Sequence, residues 1–250
     1  MKMKELLEAK IIPQGVEPVN VEVLKDLLYS QCSEFMANNA KRPLFRGTQK
    51  KYEPIVIIDP TVGLRKSRVI KNHYTLLMDN SPYYQGWPKR SKSVVCSTSY
   101  SYAADFAKFG TRVIVPFNGS KIGITPYADI WATPVDLSKV APELKYFNHI
   151  SYLLEYFKVP DNSYEVMLEY MQTPDFHYNW KERFPNIDLN DFDLIGYLHK
   201  VMSPEKTGMQ LSNTENFKRA LYLNKECWVG GKCLSIKPSV YEQIVGTFIK

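Results

Sequence analysis

Most strand-like runs in this chain fall into two blocks that lie far apart. The first, at 93–126, holds SVVCSTS, TRVIVPF and KIGITP; the second, at 220–250, holds ECWV and KCLSI on either side of Gly230-Gly231. β-branched and apolar runs bounded by Gly, Pro or an Asn-Gly-Ser turn read as strands. Between the blocks the period changes. HISYLLEYFKV, SYEVMLEYM and DFDLIGYLHKVM space their apolar residues three and four apart, as helices do, and prolines punctuate the whole stretch. A sheet drawing on both blocks must close across that helical segment. This predicts one α+β domain over 1–250, with an N-terminal helical segment (1–40), a helical insertion (128–206) and C-terminal strands around the Gly-Gly turn that complete the sheet.

Local signals fill in the frame. Leu24, Leu27, Leu28, Cys32 and Phe35 form one apolar helical face, and Asn20 is placed to cap that helix. KRPLFRGT (41–48) reads as an edge strand and IVIID (55–59) as a strand closed by Pro60. SPYYQGWPKRSKS (81–93) reads as a loop, and YSYAADFAKFG as a helix stopped by Gly110.

Several function classes are disfavoured. No apolar run approaches the roughly 20 residues needed to span a bilayer, so no membrane role is expected. The stretch MKMKELLEAK is charged and lacks a signal core, which predicts a cytoplasmic chain. The four cysteines show no CxxC spacing and the four histidines no HExxH pair; buried thiols and no metal are expected. GxGxxG and GxxxxGK[ST] are absent, which argues against a Rossmann dehydrogenase or a P-loop NTPase. The net charge of +6 is modest but concentrated at 41–51, 65–71 and 89–92, a bias suited to a phosphate-bearing ligand or to a solvated basic face. Arg65, Arg68, Lys89 and Arg90 are candidate phosphate contacts, and Trp87 a candidate stacking surface.

Three short pieces carry candidate chemistry: Arg46 in LFRG, Ser97-Thr98-Ser99 at the end of a strand, and Glu226 opening a late strand. Each alone has an ordinary explanation: a surface arginine, a helix cap, a surface glutamate. Their order resembles the R-S-E pattern of ADP-ribosyltransferases. The stretch from SPYYQGWPKRSKSVVCSTS to RVIVPFNGSKIGITP is also similar to predicted transferases of this kind in large bacteriophages. The resemblance covers about 41–126 and 207–240, and the helical middle has no counterpart in it.

The resemblance implies two small β-sheets forming a cleft for NAD as substrate. Arg46, Ser97 and Glu226 would be catalytic. Arg46, Gly47, Ser97, Thr98, Ser99, Tyr102 and Phe106 would bind NAD, with Tyr100 a third aromatic available to stack on nicotinamide. A host protein or nucleic acid would accept ADP-ribose in the host cytoplasm. The chemistry fits these residue types. A guanidinium fork can hold a pyrophosphate bidentately, and a carboxylate near the ribose stabilises an oxocarbenium-like transition state. Ser97 would position Glu226 by a hydrogen bond. The position two residues before the glutamate, a second glutamate in arginine-modifying members, is Asn224. An amide carries no negative charge for a guanidinium acceptor, so acceptors other than arginine are expected, with Asn224 and Tyr222 placed to contact them. Glu242 in SVYEQIVG is a rival carboxylate without the strand–turn–strand context. The alternative is a binding or virion-associated protein on the same scaffold. A different phosphate- or nucleic-acid-handling enzyme is the third reading.

Overall fold

The structure, a computed structural model, describes residues 15–63, 71–130, 133 and 149–248. Arg65 and Arg68 lie outside the described residues, as do most of the basic stretch 65–71 and residues 1–14 of the N-terminal segment.

The strand runs of the first block form β4 (Ser93–Ser97), β5 (Thr111–Pro116) and β6 (Lys121–Ile124). They join β1 (Val16–Pro18), β2 (Leu44–Gly47), β3 (Ile55–Ile58), β7 (Gln210–Asn213), β8 (Glu226–Gly230) and β9 (Cys233–Ile236) in one antiparallel nine-stranded ladder, ordered β1-β3-β9-β5-β2-β4-β8-β6-β7. LFRG is therefore an interior strand and not an edge. The ladder is continuous, but its halves meet at β2 and β4 through a single residue pair, Phe45 with Ser97.

The Gly230-Gly231 signal has a different outcome from the hairpin it suggests. β8 pairs with β4 and β6, whereas β9 pairs with β3 and β5. The two glycines turn the chain from one half of the ladder to the other. Gly231 adopts φ +105, and a Cβ on Gly230 would press into the Pro88 ring, so the corner requires glycine at both places. The run after β9 is also not a strand. Pro238 opens helix α10 (Pro238–Val245), whose Val240, Tyr241, Ile244 and Val245 pack on the sheet core at helical spacing.

Helices α1 (Val21–Ser30) and α2 (Ser33–Asn39) bury Leu24, Leu28, Cys32 and Phe35, and the Asn20 side chain accepts from Val23 N at 2.9 Å, as its position predicts. The helical middle forms α5 (Ile150–Tyr156), α6 (Tyr164–Met171), α7 (Pro174–Arg183), α8 (Leu194–Val201) and α9 (Pro204–Thr207), with Pro174 and Pro204 starting helices. Together with α3 (His73–Asn80) they surround a second apolar core containing Phe157, Trp180, Phe184 and Leu198.

β8 separates the two cores. Cys227 and Val229 belong to the sheet core, whereas Trp228 belongs to the helical core. This is the alternation of side chains across a strand, and it turns Glu226 to the same side as Trp228.

Candidate functional site

β2, β4 and β8 are consecutive in the ladder, so Arg46, Ser97 and Glu226 come from neighbouring strands. Ser97 lies directly opposite Glu226, and Phe45 directly opposite Ser97. At about 4.8 Å between strands the three backbones fall within roughly 10 Å. Directly opposed residues share a face, so Ser97 and Glu226 do. Arg46, one residue beyond Phe45, falls opposite Cys96, so alternation turns it to the other face of the ladder from Ser97 and Glu226. Burial raises the Cys96 thiol pKa; Arg46 then pulls it down and Glu226 pushes it up. Both charges act on this one buried sulfur. Arg46 is half-buried and makes no hydrogen bond or ion pair among the described residues. The other well-buried arginines are committed. Arg112 bonds Ser235 and the carbonyls of Glu53 and Pro54, and Arg219 bonds the Thr98 carbonyl at 2.6 Å with its guanidinium 5.0 Å from the Phe45 ring.

The Ser-Thr-Ser run is engaged with backbone. Ser97 Oγ accepts from Ser99 N at 3.0 Å and donates to the Lys225 carbonyl at 3.4 Å. Thr98 and Lys225 exchange bonds: Thr98 N to Lys225 O at 2.9 Å, and Lys225 N to Thr98 Oγ1 at 2.8 Å. Ser99 caps α4 (Tyr100–Asp105), accepting from Tyr102 N at 3.2 Å. These bonds fix the start of β8 against the end of β4. Ser97 does not hold the Glu226 carboxylate by its hydroxyl, as the sequence reading expects.

That carboxylate is held by Arg90. Arg90 Nη2 donates to Glu226 Oε1 at 2.7 Å, and Arg90 Nη1 to Thr75 Oγ1 at 3.0 Å. Arg90 is 2% exposed and Glu226 8%. Arg90 is thus an internal ion-pair partner and not the phosphate contact that its basic stretch suggests; no local pattern marks a partner 136 residues away. Among the described residues, Glu226 Oε2 has only a long contact, 3.5 Å, from Ile130 N. The segment after β6 runs alongside the start of β8. Thr125 N donates to the Glu226 carbonyl, Glu226 N to the Tyr127 carbonyl, Lys225 Nζ to the Pro126 carbonyl, and Tyr102 Oη to Asp129 Oδ2.

The aromatic candidates separate. Tyr100 packs edge-on against Phe45 in the sheet core, whereas Tyr102 pairs with the exposed Phe106 ring and bonds Asp129. Burial and the Asp129 carboxylate, with a smaller push from Glu226, hold the Tyr102 phenol well above its ordinary pKa. Gly47 acts through packing. A Cβ there would collide with the Ala103 carbonyl, so the glycine lets α4 close on β2. Tyr222 stacks on Phe217 and packs on the sheet core, while Asn224 is exposed with φ 52. Glu242 lies on α10, outside the ladder. Trp87 stacks on Trp228 and lines a cavity of about 400 Å³ with Tyr84, Asp79 and Lys89; neither Arg90 nor Glu226 is among its lining residues.

Among the described residues no helix is long and apolar enough to cross a membrane, and no three His, Cys, Asp or Glu side chains cluster to hold a metal ion. Comparison of the chain with protein-family models, with curated proteins and with solved structures finds no match.

Proposed function

We propose that the chain is an NAD-dependent mono-ADP-ribosyltransferase acting on a host macromolecule. The observation that supports it is the adjacency of Arg46, Ser97 and Glu226 on three consecutive strands of a ladder whose halves join at one residue pair. That narrow join, beside all three, is compatible with the paired small sheets of the transferase fold.

In this reading the C1′–N bond of the nicotinamide ribose breaks, and nicotinamide leaves with the bonding electrons. The acceptor nucleophile forms the new bond to C1′ and loses its proton to solvent. Glu226 stabilises the positive charge developing on the ribose and accepts a hydrogen bond from a ribose hydroxyl. Arg46, whose side chain has no hydrogen bond or ion pair among the described residues, supplies the fork for the pyrophosphate. Tyr102 and Phe106 offer the flat surface for nicotinamide. Asn224 in place of a second carboxylate points to an acceptor other than arginine.

The second reading, a non-catalytic protein on this scaffold, is favoured by the near-complete burial of Glu226 and its pairing with Arg90. Release of free nicotinamide from NAD separates the two. A transferase releases it, slowly with water as acceptor, and the Glu226→Gln variant does not. A binding protein releases none.

A further inference from the structure

We propose that Arg90 is the positioning residue for Glu226, and that through it the helical core sets the geometry of the carboxylate. Its catalytic consequence rests on the transferase reading above.

A glutamate at the start of a strand has free side-chain torsions, and the residue directly across the ladder, Ser97, spends its hydroxyl on backbone. What fixes Glu226 comes from the other side. The Arg90 guanidinium spans Thr75 Oγ1 on α3 and Glu226 Oε1 on β8, one Nη to each. Its backbone is clamped as well: Asp79 Oδ1 accepts from Arg90 N at 2.6 Å and Oδ2 from Ser91 N at 3.0 Å. α3 is in turn tied to the helical middle. Asn72 N donates to Asp161 Oδ2 at 2.7 Å, and His73 Nε2 bonds the Val159 carbonyl at 2.9 Å. A continuous path of bonds thus runs from the α5–α6 connection to one carboxylate oxygen.

The chemistry of the pair favours a positioning role over a stabilising one. Buried ion pairs are poor stabilisers relative to apolar residues of similar volume, and this one leaves Arg90 Nε buried without a partner. A stabilising pair would satisfy that donor. The arrangement instead occupies Oε1 and leaves Oε2 with one long contact among the described residues, and in the transferase reading Oε2 is the oxygen that meets a ribose hydroxyl. Lysine cannot reproduce this, because a single ammonium does not span two acceptors in a fixed plane.

The test uses the full chain. In Arg90→Lys and Thr75→Val, kcat for nicotinamide release should fall at least about tenfold for the lysine variant and less for the valine variant. KM for NAD should stay within about threefold, since one ribose hydrogen bond is a small part of ground-state binding and the positioning acts mainly in the transition state. In Arg90→Ala, ethylguanidinium should restore part of the rate and ethylammonium should not. Folded Arg90→Lys with wild-type kcat, or equal rescue by both cations, overturns the proposal. Should Arg90→Ala fail to fold, the other two variants carry the test. If the wild-type chain releases no nicotinamide, the transferase reading falls, and a crystal structure of Arg90→Lys still decides the positioning. A displaced Glu226 carboxylate upholds it, and an unmoved one overturns it.

Discussion

The Arg90 guanidinium meets the Glu226 carboxylate at 2.7 Å, joining a residue anchored on the helical core to the first residue of β8. The contact lies where the two apolar cores approach each other, because Trp228, two residues on, packs into the helical core while Cys227 packs into the sheet core. The consequences reach stability, pH response and chemistry.

Removing one partner leaves a buried charge unpaired. Arg90→Met should lower unfolding free energy by about 3–5 kcal/mol, and the double variant Arg90→Met, Glu226→Met should recover much of that loss. Urea titrations of the two single variants and the double variant measure the coupling. Additive losses would contradict the pairing.

Gly47 admits no side chain. The position of a Cβ is taken by the Ala103 carbonyl and the backbone at 106–107. Gly47→Ala should cost on the order of 1–3 kcal/mol, as overpacking does, and should displace α4 from β2. A thermal melt within one degree of wild type would contradict this close approach.

Acid should weaken the fold through two histidines. Burial lowers the pKa of His73 and of His199, against nearby carboxylates that raise them. His73 bonds the Val159 carbonyl, and His199 Nε2 bonds the Tyr164 hydroxyl at 2.8 Å. Above the unfolded histidine value near 6.5 both states are neutral and no pH dependence arises. Below it the unfolded chain takes up the proton first, so stability falls toward the depressed folded values, by on the order of 1 kcal/mol per pH unit per histidine. Denaturant titrations at pH 7.5 and 5.5 should show the loss, and His73→Gln should show less of it. An equal loss in His73→Gln would remove His73 from the effect.

All four thiols are buried and free. Burial pushes Cys32 up to about 12 and raises the other three thiols well above their ordinary value. Thiolate is the reactive form, so a disulfide reagent at pH 8 should label none in the native protein and all four in denaturant. Rapid native labelling would contradict the packing of β4, β8 and β9.

The sequence carried the local parts of this architecture. β4, β5 and β6 were legible because β-branched runs bounded by turns have few other uses, and the α1 cap was legible because Asn20 needs only the next three residues. β1 and β7 were not, since VEP and QLSN are short and polar and owe their strand form to pairing partners elsewhere. The Gly-Gly corner misleads for the same reason: a hairpin and a corner share a local signature, and only the partners of β8 and β9 distinguish them. At the site, Arg46, Ser97 and Glu226 lie on consecutive strands of the ladder, an order that no local signal in the sequence specifies. Nor does any specify the side-chain partners. The hydroxyls of Ser97 and Thr98 go to backbone, and Glu226 is held by an arginine from a stretch read as phosphate contacts or a solvated basic face.

The measurement that bears most directly on the proposed activity is incubation of wild-type protein and its Glu226→Gln variant with NAD labelled in the adenylate half and host lysate, followed by mass spectrometry of the labelled species. The account predicts covalent ADP-ribose on an acceptor residue other than arginine with the wild type and none with the variant. Both must melt as cooperative folded proteins. Equal labelling by the two proteins, or none by either, would contradict it.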